Sequence, residues 1–128
     1  SNVKFIGAVS SKDINYFYRS SHICVIPSLL DATPTTLIES MYCGLPVIIT
    51  SGCGNNTLVE DYKTGFVIPP ANSNKITEKL LWYSNNRNSI DSMGQNSHDK
   101  IIELIEEEKN KDKKLAKLIF DLFEKNNR

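Results

Sequence analysis

Long apolar runs are missing from this chain of 128 residues. No stretch approaches the roughly 20 consecutive apolar residues that a membrane-spanning helix needs. The N-terminal SNVKFIGAV has neither the long apolar core nor the cleavage site of a secretory signal. An excess of charge is missing too: fifteen basic and fifteen acidic residues cancel, which removes the electrostatic footprint of a nucleic-acid binder. Cysteine is scarce. Cys24, Cys43 and Cys53 are odd in number and no two have C-x-x-C spacing, which argues against a disulfide framework or a zinc site. His22 and His98 are the only histidines, too few for a histidine-based metal centre. These absences lead to the expectation of a reduced, cytoplasmic protein with no metal and no nucleic-acid partner.

What remains is an ordinary globular composition, 40% hydrophobic and 23% charged, in a chain long enough for one domain that buries roughly two-thirds of its unfolded surface. Short apolar runs alternate with helical patterns. VKFIGAV (3–9), HICVIPS (22–28), PVIIT (46–50) and FVIPP (66–70) read as strands bounded by Gly, Pro, Ser or Asn. SKDINYFYRSS and PTTLIESMYCG between them read as helices, and NNTLVEDYKTG is short enough for only two turns. Alternation of this kind, with nearly continuous apolar strands, predicts an α/β fold whose parallel sheet is covered on both faces. Cys24 then lies in a strand as a small core residue.

Beyond residue 70 the pattern is helical only. NSNKITEKLLWYSNN places Ile76, Leu80 and Tyr83 at helical spacing behind an Asn-Ser start. Ile101, Leu104 and Ile105 form a second stripe, and Leu115, Leu118, Ile119, Leu122 and Phe123 a third beyond the charge run EEEKNKDKK. The charge run is most simply a solvated helix face or a short linker. The last stripe has two places to dock, this domain or a part of the protein outside this sequence. Four strands make a thin sheet, and the chain opens directly on a strand, so a fragment of a larger domain is expected.

The stretch that carries chemistry is DATPTTLIE, in which Asp31 and Glu39 are separated by seven residues. In open parallel sheets ligands bind beyond the carboxyl ends of strands, where this stretch falls. Thr33 is a good N-cap and Pro34 a good first helical residue, which predicts a helix from Pro34 with the N–H groups of Thr35 and Thr36 near its start. Such a start suits an anion such as phosphate, with fewer N–H groups remaining if Thr33 caps one. At about 100° per residue Glu39 shares a face with Thr35, roughly opposite Leu37 and Met41. Leu37 and Met41 then face the core and Glu39 the crevice, where a carboxylate suits a vicinal diol such as that of a ribose. Asp31, on the loop, is placed to reach another part of the same ligand. A plainer reading stands beside this one: an Asp before a helix is often only a turn residue, and an early Glu often only complements the helix dipole.

The run FIGAVSSKDINYFYRSSHICVIPSLLDATPTTLIESMYCGLPVIIT, followed by KTGFVIPP, resembles the C-terminal domain of retaining GT-B glycosyltransferases of family 4. The match covers roughly residues 3 to 70: a strand ending in Pro-Ser, an acid-x7-Glu motif, a helix running into Gly-x-Pro-Val-Ile, and a later Thr-Gly-Phe strand. The resemblance implies a Rossmann-like parallel sheet flanked by helices, part of a GT-B C-terminal domain. Residues 3–84 would be the partial nucleotide-sugar-binding domain and 85–128 a C-terminal helical segment. It implies transfer of a sugar, with retention, from a nucleotide-diphosphate sugar to a glycan or lipid-linked acceptor held by a missing N-terminal domain. No cofactor or metal is implied beyond that donor. Glu39 would bind the ribose hydroxyls and Asp31 would act near the reacting centre. Thr35 and Thr36 would meet donor sugar or phosphate oxygens, and Val9 and Ser10 would lie near the base.

Family members often work on lipid-linked sugars at the inner membrane surface, so peripheral association of the full-length protein falls within the same expectation. The sequence departs from the family at four places. Asp31 is one methylene shorter than the usual Glu, Pro34 stands where many members have Gly, and Cys53-Gly54 and Asn56-Thr57 replace Gly-Gly and Pro-Glu. The Arg and Lys that grip the diphosphate would lie before Val3, so this stretch alone is expected to be inactive. A non-catalytic binding or interaction module on the same fold is the alternative that these departures favour. A flavodoxin-like signalling domain would want an acidic pocket after its first strand, and a GT-B epimerase fits the Asp-x7-Glu turn less well.

Overall fold

Three runs rich in β-branched residues, Cys24–Ile26 (β1), Val47–Thr50 (β2) and Gly65–Ile68 (β3), pair in parallel in the order β1-β2-β3. The computed structural model describes residues 2–109 and 114–124. Within them lie five helices: Ile14–Arg19 (α1), Thr35–Tyr42 (α2), Ser73–Asn85 (α3), Asn88–Lys109 (α4) and Lys114–Ile119 (α5), the last continued by a π turn over Phe120–Glu124. NNTLVEDYKTG contributes only a 3-10 turn, Asn56–Leu58, and bends.

The strands are apolar on both faces because both faces are covered. Successive side chains of β2 point opposite ways. Val47 and Ile49 enter one core with Leu37, Ile38 and Met41 of α2, Ile101 of α4 and Ile119 of α5. Ile48 enters the other, with Phe66 and Ile68 of β3, Tyr83 of α3 and Met93 of α4. Phe66 is ringed there by Tyr62, Trp82 and Tyr83, all edge-on, with the Lys79 ammonium 4.6 Å from its ring centre. Of the α3 stripe, Tyr83 is buried, while Leu80 stays 41% exposed. The last stripe docks on this domain: Ile119 and Phe123 are buried in the α2 core.

One of the four expected strands does not form. Residues 2–10 have no regular structure, and Phe5 is 98% exposed. The run has strand composition, but a strand needs a ladder to bond to. This run joins neither edge of the three-stranded sheet, and Gly7, at φ +79, bends it out of extension. The charge run falls partly outside the described residues. Within α4, Glu106, Glu107 and Lys109 are exposed, as a solvated helix face should be.

Helix α4 is pinned by three consecutive side chains. Asn96 Nδ2 donates to the Lys63 carbonyl (2.9 Å), Ser97 Oγ to the Thr64 carbonyl (3.1 Å), and His98 Nδ1 to the Tyr42 carbonyl (2.6 Å). These bonds draw Gly94 against Gly44, the left-handed residue (φ +81) that ends α2. A methyl on Gly94 would collide with the Gly44 carbonyl oxygen. In an ordinary helix interior Gly→Ala gains about 1 kcal/mol. Here overpacking reverses the sign, and Gly94→Ala should lower stability by about 1–3 kcal/mol. Urea unfolding checks this, since a midpoint unchanged or raised would show that the helices have room to spare.

Candidate functional site

The site grows from the loop that leaves β1. Its backbone is stitched to the loop after β2: Asp31 N–H donates to the Gly52 carbonyl (3.2 Å) and Gly54 N–H to the Asp31 carbonyl (2.7 Å). Gly54 lies so close to Ala32 that a Cβ would strike its carbonyl oxygen, so the Gly of Cys53-Gly54 is needed for the two loops to meet. The Asp31 side chain then turns back on its own loop, Oδ1 accepting from Thr33 N–H at 3.1 Å, as an Asp before a helix commonly does.

That turn corrects the expected helix start. Thr33 is held by Asp31 and does not cap. Pro34 takes the N-cap position in an extended conformation (φ −68, ψ 115), no side chain caps the helix, and α2 begins at Thr35. The N–H of Leu37 bonds the Pro34 carbonyl at 3.1 Å. Those of Thr35 and Thr36 belong to the first turn, whose donors have no intrahelical acceptor, and no side chain caps them.

Helix α2 is oriented as its pattern requires. Leu37 and Met41 are 1% and 0% exposed, while Glu39 is half-buried on the crevice side. The Tyr18 hydroxyl, from α1, donates to Glu39 Oε2 at 2.9 Å. Burial holds the Glu39 carboxyl above the usual carboxylate range, and the Tyr18 bond offsets part of that rise. Burial raises the Tyr18 phenol as well, with the Glu39 charge adding to it, so Tyr18 stays a neutral donor. Nearby thiols are kept protonated: burial pushes Cys24 up, and Cys43 to about 11, where Arg19 only partly opposes it. Thiolate chemistry is therefore disfavoured. Among the described residues no three His, Cys, Asp or Glu side chains are grouped to hold a metal ion.

Two cavities flank Glu39. One, of about 280 Å³, takes in Thr33, Thr35 and Asn55 opposite an apolar wall that includes Leu118 and Leu122. The other, of about 250 Å³, takes in Val9, Tyr18 and Thr36 and shares Leu122 and Phe123. Four of the six residues singled out in the sequence, Val9, Thr35, Thr36 and Glu39, thus gather around one carboxylate. Ser10 and Asp31 line neither cavity. Ser10 Oγ instead donates to Asp13 Oδ2 (2.7 Å) at the start of α1. Sequence reasoning missed Tyr18, Asn55 and the wall from the C-terminal helices. Asn55 sits at φ +60, a conformation its residue type tolerates, but no spacing signal points to the others.

Residues 1–100 match the family model described as Glycosyl transferases group 1. The chain belongs to that family. A sucrose synthase of Denitrovibrio acetiphilus is 36% identical over 85 residues, 62% of this chain and 11% of that one. A UDP-Gal:alpha-D-GlcNAc-diphosphoundecaprenol alpha-1,3-galactosyltransferase of Escherichia coli is 29% identical over 90 residues, 70% of this chain and 23% of that one. Among solved structures, the C-terminal domain of the glycosyl transferase group 1 family protein LpcC of Francisella tularensis aligns with TM-score 0.71 and 25% identity, over 77% of this chain and 51% of that one. Sucrose-phosphate synthase of Thermosynechococcus elongatus shares the fold, with TM-score 0.78 and 23% identity over 92% of this chain and 30% of that one. The fold is that of a GT-B C-terminal domain. This group 1 chain spans about a tenth to a quarter of the length of the two curated relatives named. No helix among its described residues is long and apolar enough to cross a membrane.

The raised Glu39 pKa has a testable sign. A carboxyl that binds its proton more tightly folded than unfolded stabilises the fold at low pH, and this contribution is lost as pH rises through the folded pKa. Glu39→Gln should therefore gain stability relative to the parent as pH is raised from about 4 to 7. Thermal melts of both chains across that range check it; a constant difference would mean that Glu39 carries no burial penalty.

Proposed function

We propose that this group 1 domain is the donor-binding part of a retaining, family 4 glycosyltransferase, which moves a sugar from a nucleotide-diphosphate sugar to a glycan or lipid-linked acceptor. The observation that carries the reading is the grouping of Thr35, Thr36 and Glu39 at the start of α2, beyond the carboxyl end of β1. In this reading the Thr35 and Thr36 N–H groups face donor phosphate or sugar oxygens, aided by the helix dipole. The Glu39 carboxylate accepts from the two ribose hydroxyls, and Val9 and Ser10 lie toward the base. Asp31 contacts the donor sugar, through the oxygen that the Thr33 turn leaves over. Donors already fixed in the fold stabilise charge on the departing diphosphate without reorganising, which is how such a step is accelerated.

The relatives support the donor class: one is named for a UDP-Gal donor and a diphosphoundecaprenol-linked acceptor, another as an O-antigen chain mannosyltransferase. One observation favours the second reading, a binding module without catalysis. The Asp31 carboxylate is engaged in its own turn and lines neither Glu39 cavity.

Titration of isotope-labelled chain with UDP, GDP and their sugar conjugates tests the site. Amide shifts over residues 35–39 are expected, and Glu39→Ala should abolish them. Shifts absent at millimolar nucleotide would overturn the donor site in this chain. In the full-length protein, turnover that survives Asp31→Ala would assign catalysis elsewhere, and a parent without turnover would leave the binding module as the reading.

A further inference from the structure

We propose that Tyr18 is a positioning residue for nucleotide recognition: its hydroxyl orients the Glu39 carboxylate so that the outer oxygen meets the ribose diol. The inference rests on the nucleotide-sugar reading above and adds to it a residue outside the Asp-x7-Glu motif. Tyr18 is 7% exposed, fixed by its place in the α1–α2 core, and its hydroxyl lies 2.9 Å from Glu39 Oε2. Thr36, nearly one turn before Glu39, lines the same cavity as Tyr18 and Glu39.

The physical need is plain. A Glu side chain has three rotatable bonds, and freezing such a side chain costs up to about 2 kcal/mol of rotamer freedom. A half-buried carboxylate with nothing bonded to it would swing toward water. Tyr18 occupies one of roughly four lone-pair positions and fixes the plane of the carboxylate before any ligand arrives. Oε1 then keeps its acceptor capacity for two adjacent hydroxyls. Tyr18 touches no reacting atom in this arrangement and acts through Glu39 alone.

A double-mutant cycle on the full chain tests this, with Tyr18→Phe, Glu39→Gln and the pair. Dissociation constants are measured for UDP and GDP and for their 2′,3′-dideoxy counterparts. Tyr18→Phe keeps the ring in its packing and removes only the oxygen, and circular dichroism verifies the fold. The parent is expected to prefer the ribonucleotide. Tyr18→Phe should cut that preference by about tenfold, the scale of one charge-assisted hydrogen bond, and leave 2′,3′-dideoxynucleotide affinity unchanged. In the Glu39→Gln background the same change should do nothing further.

An unchanged ribo-to-dideoxy ratio in Tyr18→Phe, alongside a ratio collapsed by Glu39→Gln, overturns the role of Tyr18 and leaves the ribose reading intact. Equal losses for both nucleotides also overturn it, since they mark general packing damage. A parent that shows no ribose preference, or binds neither nucleotide, overturns the ribose reading and this inference together.

Discussion

The burial of β2 on both faces is the constraint from which the rest of this domain follows. Val47, Ile48 and Ile49 are fully removed from water, and a strand apolar on each side needs a layer of helices on each side. Parallel pairing with β1 and β3 sends every connection over a face of the sheet and returns each loop to the same end. The loops after β1 and β2 therefore meet, and the hydrogen bonds between Asp31 and Gly52 and Gly54 join them. The crevice beside Glu39 lies at this junction, beyond the carboxyl ends of the strands, where parallel sheets commonly bind ligands.

Helix α2 turns that topology into chemistry. Its inner face, Leu37 and Met41, anchors it in the core, so that the side chain between them, Glu39, can be held half out of water without moving. The result is a carboxylate kept under a burial penalty. The start of α2 is uncapped. Pro34 and the Asp31 turn leave the Thr35 and Thr36 donors without a side-chain partner. The Asp31 carboxylate is engaged in its own turn.

Much of this was legible in order along the chain. β1, β2 and β3 lie within runs that their Val and Ile content marks, and the 100° step per residue places Glu39 on the opposite side from Leu37 and Met41. The failures are instructive. VKFIGAV has the composition of a strand, yet composition cannot supply the neighbour a strand requires, and the segment lies open with Phe5 in solvent. Thr33 is as good a cap as any by residue type, but Asp31 two residues earlier competes for its backbone and wins.

Local rules of periodicity, turn chemistry and helix start thus set the element order, the parallel α/β class and the identity of Glu39 as an outward-facing acid. They act over a few residues, so a linear reading captures them. The partnership of Tyr18 with Glu39 spans 21 positions, and the apolar wall that Leu122 and Phe123 raise beside the same carboxylate comes from the far end of the chain. Contacts of that kind exist only once two helices have packed on a common sheet. Their geometry depends on the volumes of every side chain in between, and no spacing rule along the chain encodes it.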